Sequence, residues 1–139
     1  MDTALPPGRF ALRSLWSRLF GNRGERTAAR YLQKKGMKVL VRGYRTSQGE
    51  VDLICRDGPA VVFVEVKTRQ HGHPAEAVDR SKQRKLTLAA VHFLRRHHLL
   101  ETSARFDVVA ITWPGGQTPR SIEHFPNAFD AVGRGQFFH

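Results

Sequence analysis

The sequence predicts an α/β sandwich on a mixed central sheet, in the order αβββαβ with a short strand to finish. Three observations predict it. A short helical stripe opens the core, and strand-like runs separated by turn residues follow it. A longer amphipathic helix then separates the third strand from the fourth, as a parallel crossover requires.

The elements follow in order. Asn22 and Glu25 have the cap-and-third-position pattern of a helix start, Ala28, Ala29 and Leu32 recur at helical spacing, and Gly36 supplies the stop. Met37 to Tyr44 reads as the first strand and Glu50 to Arg56 as the second, with Ser47, Gln48 and Gly49 turning between them. Asp57-Gly58-Pro59 leads into Ala60 to Arg69, which is apolar on both faces until Glu65, the pattern of a central strand covered on both sides. After a loop at His71 to Pro74, a helix is expected from about Ser81 to His98 with Leu86, Ala89, Ala90, Phe93 and Leu94 inward. His97 and His98 close it, where cations suit the helix dipole. Phe106 to Trp113 is the fourth strand, Pro114-Gly115-Gly116 a loop, and Ser121 to Phe125 a short last strand.

This is one domain over 21–130, with a basic extension at 1–20 and a tail at 131–139, and no internal repeat. The extension is expected to be disordered or a short helix. Leu12, Leu15, Trp16 and Leu19 recur at helical spacing, but Arg9, Arg13 and Arg18 interrupt any secretory or membrane-spanning segment. Membrane association is therefore not expected. The lone Cys55 cannot form an internal disulfide, which suits a reducing cytoplasm, and it reads as a small core or edge residue. A formal charge of +11, from 23 Lys and Arg against 12 acids, makes a polyanion the expected partner, nucleic acid above all.

Against that excess, the placement of a few acids is informative. Residues two apart on a strand share a face, about 7 Å from one another. Glu50, Asp52 and Ile54 would then share one face of the second strand, with Val51 and Leu53 on the other, while Glu65 and Lys67 share a face of the third beside Val61 and Phe63. Across the tight turn, pairing places Asp52 opposite or diagonal to Glu65 if both point the same way. Buried charges require partners. Two readings fit: oxygen ligands for Mg²⁺, or a Glu65–Lys67 or Asp52–Lys67 ion pair at a strand end. Glu25 lies on the inward stripe of the first helix, either as a site residue or as half of a capping box with Asn22. Gln83 lies on the inward side of the second helix near its start. Glu50 is a weaker candidate, and Asp107, expected at the head of the fourth strand, suits a turn or ion pair. His71 and His73 lack further zinc ligands at suitable spacing and read as loop residues.

The ordered strings Gly49-Glu50-Val51-Asp52-Leu53-Ile54 and Val62-Phe63-Val64-Glu65-Val66-Lys67-Thr68-Arg69 resemble the PD-(D/E)XK nuclease signature. More narrowly, the chain is similar to the bacterial YraN family, whose members are uncharacterised candidate endonucleases. Gly24-Glu25-Arg26, Pro74-Ala75-Glu76-Ala77-Val78, Lys82-Gln83-Arg84-Lys85-Leu86, Arg105-Phe106-Asp107-Val108-Val109 and Asn127-Ala128-Phe129 extend the likeness over about Gly21 to Phe129. One departure is Val51, where the signature has proline.

The resemblance implies a restriction-endonuclease-like fold and hydrolysis of phosphodiester bonds in DNA, branched or damaged, or in structured RNA. The alternative is a non-catalytic nucleic-acid-binding module of the same fold. It implies Mg²⁺, with Mn²⁺ as substitute, held by Asp52, Glu65 and the Val66 carbonyl. Lys67 would orient or activate the attacking water, Glu25 matches the first-helix acid of Holliday-junction resolvase relatives, and Gln83 the helix residue beside the site. By analogy with those relatives a homodimer would suit a symmetric substrate. Arg69, Arg80, Lys82, Arg84 and Lys85 lie near the same rim in sequence and are expected either to track the phosphate backbone or to form solvated basic surface.

Overall fold

In the computed structural model, residues 23–70, 78–116 and 118–133 are described. Helix α1 occupies residues 23–34. Strands β1 (Lys38–Thr46), β2 (Gly49–Asp57) and β3 (Ala60–Arg69) follow, then helix α2 (Arg80–Arg96), β4 (Ala104–Thr112) and β5 (Ser121–Phe129). The five strands form one sheet in sequence order. Every neighbouring pair is antiparallel except β3–β4, which α2 connects as a crossover. The αβββαββ order and the mixed sheet agree with a restriction-endonuclease-like fold, as expected. The extension at 1–20, Asn22, the His71–Pro74 loop and residues 134–139 lie outside the described residues.

Strict alternation on β3 divides the core. Val61 and Phe63 join Leu86, Ala90, Phe93 and Leu94 of α2 on one side. Val62 and Val64 join Ala28, Ala29 and Leu32 of α1 on the other. Each fully buried Val, Leu or Phe side chain among them contributes about 1.5–3 kcal/mol. Phe63 is the α2-side keystone, with ring centroids 6.0 Å from Phe93 and 5.8 Å from Phe106. Its truncation to alanine would cost about 3–5 kcal/mol.

Helix α2 starts a little before the expected Ser81. Asp79 caps it, accepting the Lys82 N–H at 2.8 Å. His97 is its C-cap, and Arg95 and Arg96 occupy the last turn. Strand β5 runs past the expected Phe125 to Phe129, because its register with β4 shifts between Phe106 and Val108 and pairing then resumes at Phe106–Phe129.

The expected alternation on β2 is corrected. Val51 and Ile54 pack together on the α2 side, whereas Leu53 packs on the α1 side. The face therefore switches at Asp52. On β1, Gly43 lies between the partners of Leu53 and Val51 and has φ +71, a conformation that side-chain-bearing residues rarely adopt. On the other flank, the paired β2–β3 residues end at Leu53–Val64. Asp52 is thus released from the regular pleat where the strands separate.

Candidate functional site

The site grows out of that separation. The Asp52 carboxylate accepts the Val66 N–H at 2.8 Å, in place of a ladder hydrogen bond. It is also in side-chain hydrogen-bond contact with Glu65. Burial pushes both carboxyls up from their ordinary range, and for Glu65 the adjacent Asp52 charge adds to it. The Val66 N–H and the Glu65 contact favour the ionised form of Asp52, but burial outweighs them. The expected meeting of Asp52 and Glu65 is therefore present.

Glu25 reaches the same field from α1. The buried Gly24 beside it lies where a Cβ would be 2.8 Å from Thr68 Oγ1 and 3.6 Å from Val66 Cγ1, so the helix start rests on the end of β3. Burial, then the charges of Asp52 and Glu50, raise the Glu25 carboxyl to about 7. Glu50 itself is exposed and pairs with Arg45 at 3.4 Å. It contributes charge to the site but does not lie within it.

The ammonium found against Glu65 belongs to Lys82 of α2, at 3.6 Å. Sequence reasoning placed Lys82 among the phosphate-tracking residues, and the structure brings it to the carboxylates. A Cβ on Gly49 would collide with the backbone of Lys85, 2.9 Å from its carbonyl carbon, so the β1–β2 hairpin lies directly on the first turns of α2. That contact positions Lys82. Lys67, two residues beyond Glu65, is half-buried. Gln83 is half-buried, and its amide donates to the Val78 carbonyl at 2.7 Å, tying down the approach to α2. Arg69, Arg80, Arg84 and Lys85 are exposed. Of these, Lys85 lines a groove of about 370 Å³ with Arg45, Gln48, Glu50 and Lys82.

Among the described residues, no three His, Cys, Asp or Glu side chains stand at metal-ligand spacing. Asp52 and Glu65 nevertheless fit a hard cation. They are two carboxyls in contact, both raised by burial, and Mg²⁺ commonly takes one or two carboxylates and keeps several waters.

A second cluster forms around Asp107, which the sequence offered for a turn or an ion pair. Asp107 lies in mid-strand, not at the head of β4, and is fully buried. Arg105 donates to it at 2.9 Å, His124 contacts it at 2.7 Å, and the Asn127 N–H donates at 2.8 Å. Burial opposes its charge, but these hydrogen bonds prevail and hold the carboxyl below its usual range. Arg105 also bridges to Asp57 at 2.9 Å. The ion-pair role is thus borne out and the turn role is not. The visible signal was the Arg105-Asp107 pair two apart on one strand face. Cys55 is fully buried in the α1-side core. No helix among the described residues is long and apolar enough to cross a membrane.

Comparison with known proteins matches residues 24–111 to the uncharacterised protein family UPF0102. A UPF0102 protein of Geobacter metallireducens is 46% identical over 120 residues, covering 84% of this chain and 97% of the relative. One from Anaeromyxobacter dehalogenans is 48% identical over 117 residues, covering 82% and 86%. One from Rhodococcus opacus is 50% identical over 112 residues, covering 78% and 94%. The matched span holds Glu25, Asp52, Glu65, Lys67, Lys82 and Gln83.

Proposed function

From membership of the UPF0102 family, to which this chain belongs, we propose that the protein is a divalent-cation-dependent endonuclease acting on DNA or structured RNA in the reducing cytoplasm. One observation carries the reading. In a chain of net charge +11, two desolvated carboxyls are held in hydrogen-bond contact, and Glu25 lies close enough for the Asp52 charge to add to the burial that raises it. Like charges brought together against their preference are characteristic of functional sites.

Asp52 and Glu65 are the residues that would hold Mg²⁺ or Mn²⁺, with the Val66 carbonyl as a third oxygen. Such a cation supplies charge neutralisation at a phosphodiester and eases ionisation of the attacking water. The chain's own groups do the rest. The Val66 N–H fixes the orientation of Asp52. Lys82 balances the charge of Glu65 and can meet a phosphate oxygen, while Lys67 orients the water. Glu25, titrating at about 7, can accept or return a proton near neutral pH. Gln83 holds the approach to α2 in place. Exposed Arg69, Arg80, Arg84 and Lys85 supply attraction to the phosphate backbone.

The test is cleavage of branched, nicked and single-stranded DNA and of structured RNA, with Mg²⁺ and then Mn²⁺. Glu65→Ala and Asp52→Asn should each reduce cutting by about 10²–10³-fold or more, as on loss of a group that stabilises transition-state charge. Binding of the same substrates should persist. Wild-type protein that binds but cuts none of them under either metal would sink the enzymatic reading and leave a nucleic-acid-binding module.

A further inference from the structure

The groove between α1 and β1 has no part in the chemistry above. It has a volume of about 450 Å³, and Arg26, Arg30, Gln33, Leu40 and Arg42 are among its lining residues, with no acid among the described ones. Arg26 and Arg30 lie one helical turn apart on the exposed side of α1. Leu40, at 41% exposure, is the exposed large hydrophobic residue among those described.

The backbone imposes that exposure. The β1–β2 register shifts between Val39 and Val41. Val39 packs into the α1-side core and Val41 into the α2-side core. Leu40 lies between them as the extra residue of a bulge on an edge strand, and joins neither core. Bulges commonly re-aim a side chain in this way. A leucine held out of both cores, among three arginines, is suited to a ligand with phosphates and a flat apolar face.

We infer that this groove holds an unpaired nucleic-acid strand next to the carboxylates, with Arg26, Arg30 and Arg42 on its phosphates and Leu40 against an unstacked nucleotide. The volume suits one small ligand-sized unit rather than the breadth of a duplex. A continuous duplex keeps its base faces stacked and offers Leu40 nothing to cover, whereas a single strand exposes them. The groove also adjoins the site. Arg26 follows Glu25 in the chain, and Arg42 and Arg45 both act on the Glu25 charge. Arg45 then lines the second basic groove with Lys82 and Lys85. The two grooves thus flank the acids along β1. The substrate class that follows is a nucleic acid with a single-stranded segment at the cut, such as a flap, fork or free strand. This rests on nucleic acid being the ligand of the proposed site, and it does not depend on cutting.

The experiment is fluorescence-anisotropy binding of full-length protein in EDTA to a dT oligonucleotide, a blunt duplex and a flapped duplex. Leu40→Ser should weaken dT and flap binding by about 5–150-fold, the range for losing contact with one base, and leave blunt-duplex binding unchanged. Arg26→Glu with Arg30→Glu should weaken all three probes and flatten the salt dependence. Because these three residues are exposed, unchanged thermal melts are expected and exclude misfolding. Equal binding of dT by wild type and Leu40→Ser would overturn the inference. So would a Leu40→Ser protein that changes only its oligomeric state by light scattering. If the binding pattern holds and nothing is cut, the nuclease reading alone fails. If cutting persists without the pattern, this inference alone fails.

Discussion

Two buried acid clusters lie on the same sheet, and they are built to opposite rules. Around Asp107, three donors converge on one carboxylate from β4 and β5 and hold it charged. Around Asp52 and Glu65, the carboxyls lean on each other, with one backbone N–H and one ammonium at 3.6 Å for support. Desolvation acts on both clusters. The balance of effects separates them: hydrogen bonds outweigh burial at Asp107, and burial outweighs them at Asp52 and Glu65. A buried carboxylate held charged by its donors is structural, and a raised carboxyl pair at a separation of strands is where a cation gains most.

The comparison breaks most directly through stability. Asp107→Ala leaves the Arg105 guanidinium, His124 and the Asn127 N–H without their common acceptor, so urea denaturation should show a loss of about 3–5 kcal/mol. Asp52→Asn in metal-free protein at pH 7.5 should have a much smaller effect and the opposite sign. It keeps an oxygen for the Val66 N–H and removes a desolvated carboxyl charge, the largest effect on Asp52, giving a gain of up to about 1 kcal/mol. A loss at Asp52 as large as that at Asp107 would mean both clusters are structural, and the division drawn between them would collapse.

Much of this was legible in the sequence, and what was not has a physical reason. Apolar runs, turn residues and the helix between β3 and β4 dictate the sheet, because period and punctuation are local properties. The meeting of Asp52 with Glu65 followed from a tight turn and face-sharing. The face switch at Asp52 did not, since strict alternation assumes an unbroken pleat. The sign was present in Gly43, an isolated glycine inside a strand. The approach of Lys82 to Glu65 depends on how closely the hairpin lies on α2, and one glycine facing a backbone 36 residues away in the chain does not reveal that. The Asp107 cluster depends on the β5 register shift that carries Asn127, at φ 51, opposite it, and long-range register leaves little local trace.

The smallest effect gives the sharpest test, because the two clusters should respond to pH with opposite signs. Glu25 rises from 4.5 to about 7 on folding. Between those values the folded protein binds more protons than the unfolded chain, so this group's stabilisation is complete below 4.5 and declines as pH rises through 7. The raised Asp52–Glu65 pair acts in the same direction. Asp107, held low, contributes stability that is present above its ordinary value of 3.8 and is lost as pH falls through its lower folded value. Metal-free wild type should therefore lose stability from pH 5 to pH 7.5 relative to a Glu25→Gln, Asp52→Asn double variant. Glu25 is half-exposed, so after discounting for solvent screening its share is on the order of 1 kcal/mol. Mg²⁺ must displace the protons these carboxyls retain, so it should raise the melting temperature of wild type more at pH 7.5 than at pH 5 and leave the double variant unmoved. Parallel pH profiles for the two proteins, with no Mg²⁺ effect on either, would show that the acids at the separation of β2 and β3 are as settled as Asp107.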